Sequence, residues 1–509
     1  MATVREQWTN YLSHSIYNRN SEVKKIIQVK FPRVLLLIAI TMVFSDSDRI
    51  VIAQDSSPLL AEAAENQKWI QVNELIASDT NINAAQDDGM TALHWAAYYD
   101  KSEQVKKLVS AGANVKLKNR YGISALYLGC LNGNKTIVEH LLEHGAEPNL
   151  ALRSGETPLM TASRTGNPGP VQLLLARGAD IESRDRNDQT AIMWAAAEGN
   201  VEVVDILIEA GADFRTPLQS SFTPLFFAVR EGRIEVVVRL LKAGLDVNET
   251  MKAEKKTKNG APSGTTPLVM AVENGHFELA AMLLELGADP NENRTGFTPL
   301  HAMTWVRKPL RGDGDPPPIG SGKMSSLEFV SLLIEQGANI NARHSKHSSG
   351  NQRLNKTDAT PFLLAAETGD LPLLRLLIDL GADPDLKNAD NVTPLLAACG
   401  VGILSNGDES AGTEEDAIAT VKLLLELGSD INAIDDRNNS AMHGAAYKSW
   451  TQLVACLAEN GADFQKWNRK NHFKRTPLEI AQGHRPGNFR PSPETTIAIE
   501  RVMSLDSIR

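Results

Sequence analysis

A short segment with two helical patterns recurs along the chain at a nearly fixed interval. In residues 189–213, Thr190 stands where a helix begins, and Ala195 and Ala196 follow on one buried helix face. A second apolar helical pattern comes next, and Gly211 ends it, because glycine adopts a left-handed backbone at little cost. A helix pair this short cannot bury its apolar side alone, so it must pack against copies of itself.

The hydroxyl residue that opens the first helix marks each copy. The first five markers are 33 residues apart, and the later intervals range from 32 to 62 residues, which indicates insertions. Seven markers precede a proline, which is favourable at the first helical position. Residues 57–83 carry a weaker copy that would cap the array. The markers are Thr91, Ser124, Thr157, Thr190, Thr223, Thr266, Thr298, Thr360, Thr393, Ser440 and Thr476.

These segments resemble the ankyrin repeat family, which has a period of 33 residues and the signature T-P-L-H-x-A. The signature stands as TALHWAA at 91–97, TPLHAM at 298–303, TPLLAAC at 393–399 and SAMHGAA at 440–446. The resemblance covers residues 57–509. It implies an all-α solenoid of about 11–12 units with short β-hairpin fingers, in which the fingers and first helices line a concave groove. We expect the array to span residues 54–509.

Four stretches rich in glycine, proline, serine and charge interrupt the array, and we expect them to be exposed loops. Residues 249–264 and 343–357 lengthen fingers, whereas residues 308–325 and 401–415 separate the two helices of a unit. Fingers border the groove in this family, so the two finger insertions are the better candidates for partner contact. The alternative is that all four loops are simply tolerated, because extra loop length costs little entropy.

Residues 1–53 lack the repeat and resemble a secretory signal region. Four basic residues precede the uncharged, mostly apolar run 34–44, which is shorter than the roughly 20 residues that span a bilayer. Compact residues at 51–53 offer a cleavage position. We therefore expect an exported, bacterial-type member of the family, periplasmic or secreted, whose membrane contact is limited to this region. The alternatives are an uncleaved amphipathic anchor and a cytoplasmic protein in which residues 34–44 form a hydrophobic helix.

Charge and cysteine content argue against two classes of protein. The net charge of −10 lacks the basic excess that nucleic-acid binding requires. Cys130, Cys399 and Cys456 fall at apolar positions of the pattern. We expect them to be small core residues without a disulfide, since three thiols do not make a disulfide scaffold.

Candidate catalytic and ligand motifs are weak. His94, His301 and His443 occupy the fourth position of the signature, and the family resemblance implies hydrogen bonding around the helix start. His344 and His347 are too few for a catalytic zinc site, and residues 320–323 lack the first glycine and the Ser/Thr of a phosphate loop. We expect no catalytic residue, no metal or other cofactor, and no small-molecule substrate.

In this family, the two positions after the Ala-Ala pair point into the groove, which makes them the candidate contact residues. Tyrosine, tryptophan and arginine at such positions are typical interface anchors. Trp95 and Trp194 precede the alanine pair and are expected in the core. The candidate partner-binding residues are Tyr98, Tyr99, Leu131, Arg164, Glu198, Arg230, Trp305 and Tyr447.

The resemblance favours a non-enzymatic scaffold that binds a partner protein through the groove. One alternative is a protective or inhibitory partner of an exported enzyme. Another is an enzyme whose site is formed by the inserted loops, although those loops show no convergent titratable residues. Fold does not transfer function, so the sequence leaves the partner unidentified.

Overall fold

The computed structural model describes residues 58–78, 80–252, 263–308, 318–345, 354–402, 412–484 and 490–506. The signal-like residues 1–53 lie outside these ranges, and so do large parts of the four inserted stretches. Within the ranges, no helix combines the length and apolar character needed to cross a membrane.

Twelve helix pairs follow one another in the described residues, and we number the corresponding units 1 to 12. The first helices are α1 (Leu59–Glu65), α3 (Ala92–Tyr98), α5 (Ala125–Leu131), α7 (Pro158–Thr165), α9 (Ala191–Glu198), α11 (Pro224–Arg230), α13 (Pro267–Glu273), α15 (Pro299–Arg307), α17 (Pro361–Thr368), α19 (Pro394–Ala398), α21 (Ala441–Lys448) and α24 (Pro477–Ala481). The second helices are α2 (Trp69–Ala77), α4 (Ser102–Ser110), α6 (Lys135–Glu143), α8 (Pro168–Ala176), α10 (Val201–Glu209), α12 (Ile234–Lys242), α14 (Phe277–Glu285), α16 (Ser326–Glu335), α18 (Leu371–Asp379), α20 (Glu414–Glu426), α22 (Thr451–Glu459) and α25 (Pro493–Asp506). The short helix α23 (Phe464–Trp467) lies between units 11 and 12.

Each hydroxyl marker stands immediately before a first helix, as the sequence pattern predicts. Thr157 Oγ1 accepts a hydrogen bond from the Met160 backbone N–H at 3.3 Å, which satisfies a donor that the helix leaves unpaired. At the other end of a unit, Gly211 follows α10 with φ of 90°, and its N–H donates to the Ile208 carbonyl at 3.0 Å. The predicted starts and stops of the helices are therefore confirmed.

The first helices pack against the first helices of the neighbouring units, and most second helices do the same with second helices. Small side chains permit this close approach: Ala195 and Ala196 have no exposed surface. One continuous core extends from Leu60 in unit 1 to Val502 in unit 12. The prediction of a helical solenoid in which no unit buries its apolar side alone is confirmed.

The fingers are hydrogen-bonded turns rather than β-ladders in the described residues. In unit 3, the Asn119 N–H donates to the Ile123 carbonyl at 2.9 Å. The next pair outward is Lys118 with Ser124, and Ser124 is already the residue that caps α5. Neighbouring fingers are joined through the backbone, since the Arg120 N–H donates to the Asp88 carbonyl at 2.9 Å. The hairpins are too short for named strands, and they leave the isolated antiparallel bridges Lys118–Ser124 and Ile434–Ser440.

The described part of the insertion in unit 8 packs against unit 7. Ser321 places its backbone N–H 3.0 Å and its Oγ 2.9 Å from Nδ1 of His276. The Lys323 N–H donates to Glu278 Oε1 at 2.6 Å. The amides of Ser321 and Lys323 therefore donate to side chains of the preceding unit, which is not the arrangement of a phosphate-binding loop.

A buried ion pair joins unit 8 to unit 9. Arg307 donates from Nε to Asp370 Oδ2 at 2.8 Å and from Nη2 to Asp370 Oδ1 at 3.0 Å. The two side chains are 14% and 4% exposed. Asp370 also caps α18 by accepting from the Leu373 N–H at 3.2 Å. The adjacent Lys308 reaches Asp416 of unit 10 at 2.8 Å, so polar contacts link three units.

Candidate partner-binding face

The last turns of the first helices bring most of the predicted contact residues to one face, beside the fingers. Each of these helices is only about two turns long, so residues after the alanine pair project beyond the packed core. Tyr98 and Leu131 are 39% and 38% exposed. We call this set the groove row: Tyr98, Tyr99, Leu131, Arg164, Glu198, Arg230, Glu273 and Trp305.

Four rings form the amino end of this face, and we call Trp69, Trp95, Tyr98 and Tyr99 the aromatic cluster. Trp95 stacks on Tyr99 with centroids 5.8 Å apart and planes at 21°. Tyr98 meets Trp95 edge-on at 5.7 Å and 88°. Trp69 meets Tyr99 edge-on at 6.4 Å and 77°. These distances and angles are favourable for aromatic pairs, so the rings hold each other in place.

Polar contacts fix the aromatic cluster to units 1 and 2. Trp95 Nε1 donates to Gln86 Oε1 at 2.7 Å, and Gln86 Nε2 donates to Glu65 Oε2 at 2.7 Å. The Tyr99 hydroxyl donates to the Glu65 carbonyl at 3.0 Å. Trp95 and Trp194 are both half-buried and pack against the core from the groove side. The sequence pattern predicts that both lie inside the core, so they are more exposed than predicted. Their rings are too large to fit between helices spaced by alanine.

Arg164 lies between a finger and a ring of the following unit. Its Nη2 is 3.2 Å from Glu156 Oε1, and its guanidinium carbon is 5.3 Å from the centroid of the Trp194 ring. Glu198 lies nearby, and burial raises the pKa of its carboxyl group, while the charges of Arg233 and Arg164 oppose this effect. The structure therefore places two predicted contact residues, Arg164 and Glu198, in one mixed-charge patch.

Arg230 covers aromatic residues of its own unit. Its guanidinium carbon lies 5.2 Å from the ring centroids of both Phe222 and Phe227. Its Nε donates to Glu231 Oε1 at 3.0 Å. The cation is thus held over apolar surface, with part of the side chain still accessible.

Trp305 lies apart from these patches, in unit 8. The Phe297 ring meets it edge-on at 4.9 Å, and Lys356 Nζ lies 5.2 Å from its centroid. Burial raises the pKa of the neighbouring Glu273 to about 7, and a hydrogen bond with the Trp305 side chain opposes that shift. Trp305 and Glu273 therefore form one half-buried pair on the groove face.

Tyr447 does not lie on the accessible face, so this part of the sequence prediction is wrong. It is 2% exposed, and its hydroxyl accepts a hydrogen bond from Asn471 Nδ2 at 3.1 Å. Asn471 belongs to the long finger before unit 12, which also contains α23 and covers the end of α21. The helical phase of Tyr447 is the same as in other units, but the following finger is longer and buries the position.

Lys448, the residue after Tyr447, is also buried, with 4% exposure. Among the described residues, its Nζ has no hydrogen-bond partner, although it lies 5.1 Å from the Trp450 ring centroid. Burial lowers the pKa of Lys448 to about 8, and the charge of Glu367 opposes that shift. A buried amine in this position destabilises the fold when it is charged.

Replacing Lys448 with methionine should raise the free energy of unfolding by about 1 to 3 kcal/mol near neutral pH, because the side chain keeps its length and loses its charge. The folded pKa lies below the unfolded value of 10.5, so the unfolded chain binds more protons between about 8 and 10.5. Wild-type stability should therefore rise with pH in that window, and Lys448→Met should lack this rise. Urea unfolding at several pH values measures both effects.

Lys466→Met provides the control, because Lys466 is an exposed lysine on α23. It should leave the urea midpoint and its pH dependence unchanged. Equal pH profiles for wild type and Lys448→Met would contradict the assignment of the titration to Lys448.

The site contains finger residues that the sequence reasoning did not select. Gln86 and Glu156 precede the helix markers by five residues and one residue, and Lys356 lies four residues before Thr360. Each contacts a groove aromatic or arginine. Their positions shortly before the helix markers are the only indication in the sequence that they lie at this face. Finger sequences differ from unit to unit, so no common pattern identifies these residues.

The three signature histidines have the structural role that the resemblance implies. His301 Nδ1 lies 2.9 Å from Thr298 Oγ1 and 3.2 Å from its backbone nitrogen, and Nε2 lies 3.1 Å from the Ala359 carbonyl oxygen. His443 and His94 repeat this arrangement. The neutral form with hydrogen on Nε2 fits these contacts, because Nδ1 then accepts from the cap residue.

The three cysteine thiols and the histidines of the insertion 343–357 are further groups with potential reactivity. Cys130, Cys399 and Cys456 are free and buried, and burial raises the pKa of each thiol. His344 packs edge-on against His301 at 5.7 Å, while His347 lies outside the described residues. The described residues contain no group of three or more potential metal ligands.

Comparison with known proteins identifies the repeats. A family model described as ankyrin repeats in three copies matches residues 60–151, 103–185, 159–251 and 250–306. A single ankyrin repeat model matches residues 357–389. The matches together cover more than half of the chain.

Similar stretches occur in several known proteins. E3 ubiquitin-protein ligase KEG of Arabidopsis thaliana is 31% identical over 119 residues, which is 23% of this chain and 6% of that protein. Ankyrin repeat and SOCS box protein 6 of Pongo abelii is 31% identical over 163 residues, which is 31% of this chain and 32% of that protein. B-cell lymphoma 3 protein homolog of Mus musculus is 40% identical over 85 residues, covering 17% and 16%.

The chain thus spans less than a third of the length of each of these relatives. Together with the family matches and the stacked helix pairs, the signature shows that the chain belongs to the ankyrin repeat family.

Proposed function

We propose that the protein is a non-enzymatic scaffold that binds a partner protein through the groove row. The observation that carries this proposal is the placement of aromatic and arginine side chains of units 2, 4, 6 and 8 on the same face of the array, each held by contacts within the array. Residues of these types, fixed before binding, lose little conformational entropy when a partner docks.

Tyr98 and Leu131 are the strongest candidates for central contacts. They are equivalent residues of units 2 and 3, since each stands seven residues after its helix marker, and they are the most exposed apolar members of the groove row. Asn132 joins their units by donating from Nδ2 to the Ala97 carbonyl at 2.9 Å and the Tyr98 carbonyl at 3.1 Å. A partner that covers this position would remove two large apolar side chains from water at once.

The relatives support a binding role for the repeats themselves. Their names combine ankyrin repeats with different further parts: a SOCS box in one protein and a KH domain in another, mask-1 of Caenorhabditis elegans. The matches cover only 32% and 4% of these two relatives, so the activities of the whole relatives are not carried over to this chain. A binding module that serves several architectures is consistent with a scaffold.

We also propose that the protein is exported. Support comes from the basic residues before the apolar run 34–44 and from the compact residues at 51–53. Cell fractionation with mass measurement of the mature chain tests this. Recovery of the unprocessed chain in the cytoplasm would contradict it.

Tyr98→Ala combined with Leu131→Ala should weaken partner binding at least about ten-fold, because truncating interface anchors commonly costs more than 1 kcal/mol each. The measurement is capture of the partner by the full chain, followed by titration of the identified partner. Circular dichroism should show the array intact, since both side chains lie outside the fully buried core.

Ile70→Ala serves as the matched control. Ile70 is 78% exposed on the second helix α2 and is not a member of the groove row. It should bind the partner as wild type does. Equal loss in Ile70→Ala, or unchanged binding in the double variant, would contradict the groove as the docking face.

A further inference from the structure

Four aromatic side chains of the groove face, all outside the aromatic cluster, carry a cation from this chain. Arg164 lies over Trp194, Lys356 lies over Trp305, and Arg230 lies over two phenylalanines, at distances of 5.2 to 5.3 Å from the ring centroids. Attraction between a cation and the face of an aromatic ring explains this recurrence. The face is therefore built around ring-cation pairs.

The aromatic cluster at the amino end differs from this pattern. Among the residues that the structure describes, no arginine or lysine lies over the rings of Trp69, Trp95, Tyr98 or Tyr99. Tyr98 stands at 88° to the Trp95 ring, so the two rings make a corner, and Tyr98 is 39% exposed. The cluster thus offers ring surface that this part of the chain leaves uncovered by a cation.

A carboxylate lies beside the same rings. Glu65 is exposed, and its Oε2 accepts from Gln86, which in turn accepts from Trp95 Nε1. The Tyr99 hydroxyl donates to the Glu65 backbone. Lys68 and Lys101 are the lysines nearest to the cluster in sequence. Lys68 precedes helix α2 and Lys101 precedes helix α4, and neither lies over a ring of the cluster. Ring faces and a negative charge are therefore held together on the groove side.

We propose that the aromatic cluster binds an arginine side chain of the partner protein, with the guanidinium against Tyr98 and Trp95 and a hydrogen bond to the Glu65 carboxylate. The proposal rests on the proposed scaffold function and names the chemistry of its partner. Arginine fits better than lysine because its planar group stacks on a ring while its edge donates to a carboxylate.

Charge complementarity selects this occupant over an apolar one. An apolar side chain in the corner would remove water from Glu65 without adding a donor to the one that Gln86 already provides, which costs free energy. A guanidinium satisfies both the ring faces and the carboxylate. It also completes, at the amino end, the ring-cation pattern that the chain itself provides at Trp194 and Trp305.

The test uses the full chain and two blocked tetrapeptides, one of arginine and one of citrulline, its neutral isostere. Ring-current shifts of the peptide Cδ protons and tryptophan fluorescence follow the titration. The arginine peptide should bind at least about five-fold more tightly than the citrulline peptide. Tyr98→Leu and Glu65→Gln should each weaken arginine binding about five-fold, and Tyr98→Phe, which keeps an aromatic ring, should weaken it less than Tyr98→Leu does.

Glu103→Gln is the control for the carboxylate, because Glu103 is an exposed acid on α4 outside the groove row. It should bind the arginine peptide as wild type does. Equal binding of the citrulline peptide, or full binding by Tyr98→Leu and Glu65→Gln, would overturn the proposal. Circular dichroism of both variants verifies that the array is folded.

The two proposals fail in different ways. Suppose that Tyr98→Leu weakens binding of the arginine peptide, but the double variant Tyr98→Ala with Leu131→Ala still binds the partner. The groove proposal then fails, and the cation site is still supported. If the double variant no longer binds the partner while Tyr98→Leu leaves the affinity for the arginine peptide unchanged, only the arginine inference fails.

Discussion

Arg307→Met is expected to lower the free energy of unfolding by about 3 to 5 kcal/mol, the cost of leaving one member of a buried ion pair without its partner. The carboxylate of Asp370 is 4% exposed and receives two hydrogen bonds from the guanidinium. Without Arg307 it would keep the bond from Leu373 but lose its counter-charge. Urea unfolding followed by circular dichroism measures the loss.

Asp370→Asn and the double variant make this prediction specific. Asparagine keeps an acceptor for the α18 cap but not the charge, so the single change should cost a similar amount by leaving Arg307 unpaired. The double variant should be more stable than either single variant, because no buried charge remains alone. Additive losses in the double variant would show that the pair is not coupled.

An exposed pair provides the comparison. Lys106 and Glu103 are 3.1 Å apart with side chains 44% and 78% exposed. Lys106→Met should change stability by less than about 0.5 kcal/mol. A loss at Lys106 as large as that at Arg307 would contradict the argument from burial.

Acidification below about pH 6 should destabilise the array through His301 and His443. Burial lowers the pKa of each to about 4 from the ordinary value of 6.5. Between these values the unfolded chain binds the proton and the folded chain does not. The stabilisation is therefore complete above 6.5 and is lost as pH falls toward 4, by on the order of 3 kcal/mol for each histidine.

His301→Gln with His443→Gln should be less stable than wild type near neutral pH and should lose less stability on acidification. Glutamine removes the titrating ring, so the difference in slope between the two proteins isolates the histidines from the carboxylates. Unfolding by urea at several pH values between roughly 4 and 7 measures it. His484→Gln changes an exposed histidine and should follow the wild-type profile. Parallel slopes for the double variant and wild type would contradict the assignment.

Much of the fold could be predicted because one local rule repeats. Thr157 and Thr223 begin equivalent helices, and Ala195 and Ala196 are buried, since caps and helical phase depend on residues close in sequence. The roles of the signature histidines depend on the same short range.

The remaining features depend on contacts between distant residues. Tyr447 has the phase of a groove residue, but the length of the next finger decides its burial. Arg307 and Asp370 are 63 residues apart, and an insertion separates their units in sequence. The phase of the repeat predicts that Trp305 lies at the groove, whereas its pairing with Glu273 and Lys356 depends on how units 7, 8 and 9 pack. Such contacts leave no period in the sequence.

The bond from Lys308 to Asp416 has a consequence for how the array comes apart. In a simple solenoid, stability is a sum over adjacent units, so terminal units unravel one after another. This bond connects residues of units 8 and 10, and the pair Arg307–Asp370 fastens the unit between them. Units 8 to 10 should consequently melt as a single cooperative segment, interrupting any unravelling that starts at either end.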